Sequence, residues 1–280
     1  MSPTPGPVPP IVNAGWLVDR GVDVVICEVG SSMAGDVPEA KYRERHISGA
    51  RYVSLDTVLA APRSAAGGRH PLPTPEDFAR HLGALGVDDD ATVVAYDRRA
   101  GGGFAGRLVW MLRTIGQPAA LLDGGLGGWD GPVESEPIIV EPVDRAARPW
   151  PADALADADD IARHIRAGGV VIDSRDPARY AGEAEPIDVV AGHIPGAINL
   201  VYTENLDAES NFRPTAELAD RFAVAALDDD PIVYCGSGVT ACHNALVMEH
   251  VGLRRPRLYV GSWSAWSADP DLPVATGPTP

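Results

Sequence analysis

Cys235 has the setting most suggestive of chemistry. It follows the apolar run Pro231-Ile232-Val233-Tyr234, opens the loop Gly236-Ser237-Gly238-Val239-Thr240, and precedes the helix-like segment ACHNALVMEHVG. A thiol at such a junction faces the positive end of a helix and a ring of backbone N–H groups, which lowers its pKa and stabilises an anion. Glycine at 236 and 238 lets those amides turn inward where side chains would block them. A free cysteine is more often a small buried hydrophobe, but the glycines favour a nucleophilic thiolate here. A phosphatase loop would need an arginine six residues after the thiol. Ala241 stands there, so the bidentate clamp for a phosphate dianion is missing.

A second pattern lies in the first half. Gly101-Gly102-Gly103-Phe104-Ala105-Gly106 reads as G-x-G-x-x-G after a strand, with Asp123 ending the next strand, as a dinucleotide site requires. The chain is an internal repeat, however, and the repeat accounts for these glycines and Asp123 without a nucleotide. Each half has an apolar strand ending in an acid, Glu28 in the first and Asp173 in the second. Each then has a related turn, His46-Ile47-Ser48-Gly49-Ala50 and His193-Ile194-Pro195-Gly196-Ala197. A β-branched strand follows, ending at Asp97 or Cys235, then a Gly-rich loop, a helix-like run and a closing Gly-Trp element. Tyr96 to Trp129 spans 33 residues and Tyr234 to Trp266 spans 32, which points to duplication.

Strands alternating with helices predict an α/β fold of two tandem domains, each a parallel sheet flanked by helices. Functional atoms in such folds gather at strand C-termini, where Asp97 and Cys235 fall. The proline-rich residues 1–10 read as a disordered lead-in, 11–130 as a first domain, 131–153 as a linker, and 154–280 as the second domain.

Acidic residues number 39 against 23 basic ones, a net charge of −16 that repels phosphate backbones and anionic lipid, so neither nucleic acid nor a membrane is an expected partner. The first basic residue is Arg20 and no apolar run approaches a membrane span, so a cytoplasmic protein is expected. Cys27, Cys235 and Cys242 leave at least one thiol unpaired and form no C-x-x-C, so neither a disulfide framework nor a zinc site is expected. Cys27 and Cys242 read as core residues, Cys242 with a lesser possibility of resolving a persulfide. Trp263 and Trp266 read as packing or as cleft wall.

From about Ile11 to Gly277 the chain resembles the tandem-domain rhodanese sulfurtransferases. The resemblance rests on CGSGVTA at 235–241, GHIPGAINL at 192–200, DSRDPARYAG at 173–182 and GSWSAW at 261–266. It implies a non-catalytic first domain, with Asp97 at the position of the lost cysteine. It also implies double displacement: the Cys235 thiolate takes a sulfane sulfur from a small anionic donor, holds it as a persulfide on the amides of residues 236–240, and passes it to a thiophilic acceptor such as cyanide or a thiol. No metal or organic cofactor is implied. Arg179 falls where the family places an arginine that binds the donor's anionic group. A further implied relay couples Ser237 to a first-domain histidine, matched to His46 with Asp36 as its orienting acid.

The donor is where the clues divide. Mercaptopyruvate enzymes of the family carry a second arginine in a Glu-Pro-Arg context, whereas here Glu185-Pro186 is followed by Ile187. The Gly-Ser-Gly loop points the other way, toward mercaptopyruvate. Thiosulfate is placed first, 3-mercaptopyruvate second, and a non-catalytic sulfur-relay or binding module third.

Overall fold

A computed structural model describes residues 7–34, 38–98 and 100–280. In the first half, five strands, β1 (Ile11–Val12), β2 (Val24–Gly30), β3 (Arg51–Ser54), β4 (Thr92–Tyr96) and β5 (Ala119–Leu122), form a sheet in the order β1-β5-β4-β2-β3. In the second, β6 (Leu155–Ala156), β7 (Val171–Asp173), β8 (Ile198–Asn199), β9 (Ile232–Tyr234) and β10 (Arg257–Tyr259) are ordered β6-β10-β9-β7-β8. Every pairing in both sheets is parallel. The two orders are the same permutation, so the duplication read from the sequence extends to topology.

Helices α1 (Ala14–Arg20), α2 (Pro38–Glu44), α3 (Pro75–Ala84) and α4 (Ala105–Thr114) flank the first sheet. The second is flanked by α5 (Ala158–Arg166), α6 (Pro177–Ala181), α7 (Thr215–Arg221), α8 (Ala241–His250) and α9 (Ser262–Trp266). The predicted fold class is the observed one. The equivalent helices α4 and α8 are buried on nearly all sides because they pack on their own sheets and on each other. A Cβ at Gly106 would lie 3.4 Å from the His243 backbone nitrogen, a measure of how closely they approach. One apolar core runs through both sheets, joining Val93 and Leu108 to Val233 and Leu246.

The halves share small devices as well. Tyr96 and Tyr234 each end a strand, and their hydroxyls accept the amides of Ile47 and Ile194 in the two related turns. The linker region 131–153 is strapped to the first domain. Val133–Glu134 pairs antiparallel with His46–Ile47, the Val143 amide donates to Gly83 O, and Trp150 packs on Phe78. The stretch read as a loose lead-in is tied down from Val8 onward. Val8 O accepts from Arg113 Nη1 at 3.0 Å, and Pro10 O accepts from the Leu121 amide at 2.9 Å; residues 1–6 lie outside the described residues.

Candidate active site

Cys235 sits one residue beyond β9, where the parallel sheet ends in loops. Its amide donates to Ser262 Oγ at 3.2 Å and its carbonyl accepts from the Trp263 amide at 2.9 Å. The Gly236 carbonyl accepts from the Ser264 amide, also at 2.9 Å, so the short helix α9 holds the start of the loop. Ser262 adopts φ 51°, unusual for a residue with a side chain. Its Oγ donates to Tyr259 O while accepting from Cys235, and these bonds keep it in that conformation. Gly238, at φ 71°, faces Val260 O so closely that a Cβ would come within 2.7 Å, which makes glycine a requirement there. Among the described residues, no amide from Gly236 to Thr240 donates a hydrogen bond within the chain. The loop thus presents a set of open N–H donors beside a cysteine that is 1% exposed.

The first domain completes this loop. Arg107, fully buried on α4, donates from Nη1 to Gly238 O at 2.6 Å and from Nη2 to His70 O at 3.0 Å. His70 places Nδ1 2.8 Å from Ser237 Oγ. Burial, reinforced by the charges of Arg107 and Arg69, lowers the His70 pKa to about 4, against a smaller opposing pull from Asp56. The imidazole is therefore neutral at physiological pH, able to exchange a proton with the serine hydroxyl. Asp56 is anchored by Ser31 Oγ at 2.9 Å and the Ser32 amide at 2.8 Å. The contact is reciprocal: His243 on α8 bonds Gly101 O of the first-domain loop at 2.9 Å.

The cleft above Cys235, about 220 Å³, is lined from the first domain by Met33, Arg69 and Phe104 and from the second by Arg179, Ile187 and Tyr202, among others. Arg179 is held from behind by Glu185, with Nε 3.1 Å from Oε2 and Nη2 2.7 Å from Oε1. The structure thus brings Cys235, the 236–240 loop and Arg179 together.

It does not bring His46 there. His46 Nδ1 bonds Tyr42 O at 2.7 Å and its ring stacks on Tyr42 at 3.9 Å. His193 repeats this on Tyr180, with 2.8 Å to the carbonyl and a 3.7 Å stack. The two histidines are the repeat's turn residues, so the relay assignment to His46 is corrected: the histidine beside Ser237 is His70. Asp36 lies outside the described residues. His70 escapes sequence reading because it belongs to no repeated motif and lies 167 positions from the serine it touches. Its nearest signal is the polar Gly67-Gly68-Arg69-His70-Pro71 segment, unmatched in the second half. Arg69 shares that unmatched segment, whereas Arg107 lies on the repeated helix α4 but meets Gly238 131 positions away.

Cys27 and Cys242 are fully buried, and burial pushes both thiols up to about 12. Trp263 and Trp266 are core residues whose indole N–H groups donate to Val190 O and Pro273 O. The G-x-G-x-x-G run has its helix end closed by the Asp97 carboxylate, which accepts from the Phe104 and Ala105 amides at 2.6 and 2.8 Å. A pyrophosphate would need those amides. Among the described residues no group of three or more His, Cys, Asp or Glu is placed to hold a metal ion, and no helix is long and apolar enough to cross a membrane.

The Rhodanese-like domain matches this chain twice, over residues 24–131 and 157–269. The chain is 42% identical over 246 residues to a probable 3-mercaptopyruvate sulfurtransferase of Pseudomonas aeruginosa, covering 84% of this chain and 86% of that protein. It is 32% identical to the thiosulfate sulfurtransferase of the same organism, covering 84% and 87%. The structure of 3-mercaptopyruvate sulfurtransferase from Leishmania major superposes with a TM-score of 0.80 at 28% identity, covering 96% of this chain and 76% of that one. With both domains matched, the chain belongs to the rhodanese family as a tandem-domain sulfurtransferase.

Proposed function

We propose that Cys235 is the sulfur carrier, and that 3-mercaptopyruvate is the donor this site serves best. The observation that carries the choice is the 2.8 Å contact between Ser237 Oγ and a neutral His70. The thiolate attacks the donor's sulfur, a Cys235 S–S bond forms, and the donor's C–S bond breaks with its electron pair left on carbon. That carbon must gain a proton to leave as pyruvate. Ser237 supplies it and His70 restores it, with the donor's own thiol proton closing the balance. Arg179 holds the carboxylate, and the amides of 236–240 hold the terminal sulfur of the persulfide. A thiophilic acceptor, cyanide or a thiol, then removes that sulfur and regenerates the thiolate.

Thiosulfate, which the sequence placed first, is the second reading. Its leaving group, sulfite, departs with its own charge and needs no proton, and a guanidinium suits its sulfonate oxygens. A reduced thiol as nucleophile fits a cytoplasmic location, and all three cysteines are free. Steady-state kcat/KM for both donors with cyanide as acceptor tests the reading. A parent enzyme that prefers thiosulfate reverses the order of donors, and one that gains no sulfur on Cys235 with either donor refutes the carrier assignment.

A further inference from the structure

Arg51 opens β3, the edge strand of the first sheet, directly after the His46-Ile47-Ser48-Gly49-Ala50 turn. The second half has Ile198 at that place, after the related turn and in the same register: Arg51 pairs with Cys27, and Ile198 with Ile172. Ile198 packs on the apolar core. The fold therefore accepts an apolar side chain here, yet the first domain carries a guanidinium. Among the described residues Arg51 has neither a hydrogen bond nor an ion pair, and its Nε and Nη1 are buried without a partner.

Arg51 lines a cavity of about 420 Å³ at the edge of the sheet, between β3, α2, α3 and the strap residues 137–140. The cavity shares no lining residue with the cleft above Cys235. Val58, Leu85, Ile138 and Val140 give it apolar walls. The other arginine that lines it, Arg43, is already matched, with Nη2 2.8 Å from Glu39 Oε1. His81 on α3 also lines it, and its Nδ1 is buried and unpartnered among the described residues. Burial, helped by the Arg80 charge, lowers the His81 pKa against a smaller pull from Asp77, so the ring is neutral at physiological pH and carries one N–H to donate. One uncompensated positive charge thus stands in an apolar shell, within a chain of net charge −16.

We propose that this cavity is a binding site for a small monocarboxylate with an apolar body, its carboxylate held by Arg51 and its body covered by the strap at Ile138 and Val140. Two parallel N–H groups of a guanidinium match the two carboxylate oxygens. Leaving a buried charged donor unpaired is costly, and the ligand removes that cost. A monoanion balances the one free charge, whereas a phosphate dianion would bring surplus negative charge against an apolar wall. The volume is that of a small-metabolite pocket. The site stands apart from the sulfur-transfer reading and does not depend on it.

The test titrates 3-phenylpropionate, and 3-phenylpropanol as its uncharged counterpart, into the whole chain by calorimetry. In the parent the acid should bind saturably and the alcohol at least about tenfold more weakly. Arg51→Ile, which copies the second repeat, should weaken the acid about 10- to 150-fold, the value of one charge-assisted contact, and leave the alcohol within about threefold. Sulfur transfer to cyanide should be unchanged in this variant, which shows that it is folded. Arg179→Ala, in the cleft, should leave binding of the acid unchanged. Nuclear Overhauser contacts from the probe's ring should reach the methyl groups of Ile138 and Val140. The proposal is overturned if the acid does not saturate by about 10 mM, if acid and alcohol bind alike, if Arg51→Ile binds the acid as the parent does, or if the contacts fall only on cleft residues. The acid–alcohol preference and the ring contacts are read on the parent, so they decide the matter even where the variant fails to fold. Persulfide formation at Cys235 tests the sulfurtransferase reading separately.

Discussion

The two halves of this protein end the same strand in the same kind of loop and use it in opposite ways. After β4, the Asp97 carboxylate folds back onto the Phe104 and Ala105 amides at the start of α4. After β9, Cys235 leaves the amides of residues 236–240 without an acceptor among the described residues. Each helix start calls for negative charge. In the first domain it is built in permanently; in the second the space is reserved for a charge that arrives with the sulfur. The first domain then works at a distance, lending Arg69, His70 and Arg107 to its partner's loop.

The sharpest test of this contrast is removal of the thiol. Cys235→Ser should abolish turnover with every donor and leave the fold intact, because a hydroxyl of high pKa cannot carry a sulfane sulfur. Cys27→Ser and Cys242→Ser should keep most activity, since burial holds both thiols near 12 and protonated. Mass spectrometry after exposure to donor alone should find one added sulfur, on Cys235. Its appearance on Cys242, whose Sγ donates to Gly238 O at 3.3 Å, would move the site.

Arg107→Met tests whether the domains are coupled through one side chain. The substitution removes charge-assisted bonds to Gly238 O and His70 O inside the core. We expect a stability loss of about 2–4 kcal/mol in urea unfolding. A shift of the loop by even 1 Å costs about 100-fold, and freeing His70 adds to it, so kcat/KM should fall about a thousandfold. Wild-type rates in this variant would mean that the Cys235 loop is shaped within its own domain.

The pattern of what was readable from sequence follows from this division of labour. Both sheets, the repeat, the Cys235 loop and Arg179 were legible because strand period, glycine spacing and local motifs carry them. His70, Arg69 and Arg107 were not, because only the packing of the two domains on each other brings them to the loop. His46 drew the relay assignment through a conspicuous H-I-x-G-A turn, although its twin His193 occurs in the same turn. Treating the two histidines alike would have left the relay unassigned, which is as far as sequence could go.

The Ser237–His70 pair provides a smaller and more selective effect. Ser237→Ala or His70→Asn should lower kcat for 3-mercaptopyruvate about 100-fold while changing thiosulfate turnover less than about threefold, since only the former leaving group needs a proton. Because the His70 pKa is lowered to about 4, its contribution to rate should stay level from pH 8 to 6 and fade as pH approaches 4. Stability moves in the same direction. The unfolded chain, with histidine near 6.5, binds more protons than the native state between that pH and about 4, so stability falls as pH drops through this window. His243, also lowered to about 4 by burial, adds to the same trend. Equal losses for both donors would assign the pair a structural role.

The smallest expected effect is the most direct test of the comparison. Asp97→Cys restores a thiol at the first domain's equivalent position, yet it should create no second active site. Leu206 of the second domain packs directly on Gly101, and Leu121 packs on Gly102, so the space that receives a donor above Cys235 is filled here. The residue matching Arg179 in the Tyr42 and Tyr180 alignment is Lys41, which pairs with Glu44 on the surface. Loss of the carboxylate removes its bonds to the Phe104 and Ala105 amides at the start of a buried helix, costing about 1–3 kcal/mol of stability. Catalysis at Cys235 should stay within about twofold, with no sulfur gained at position 97. Sulfur found there, or a second phase of turnover that survives Cys235→Ser, would show that the first loop lost only its nucleophile and kept a working cradle.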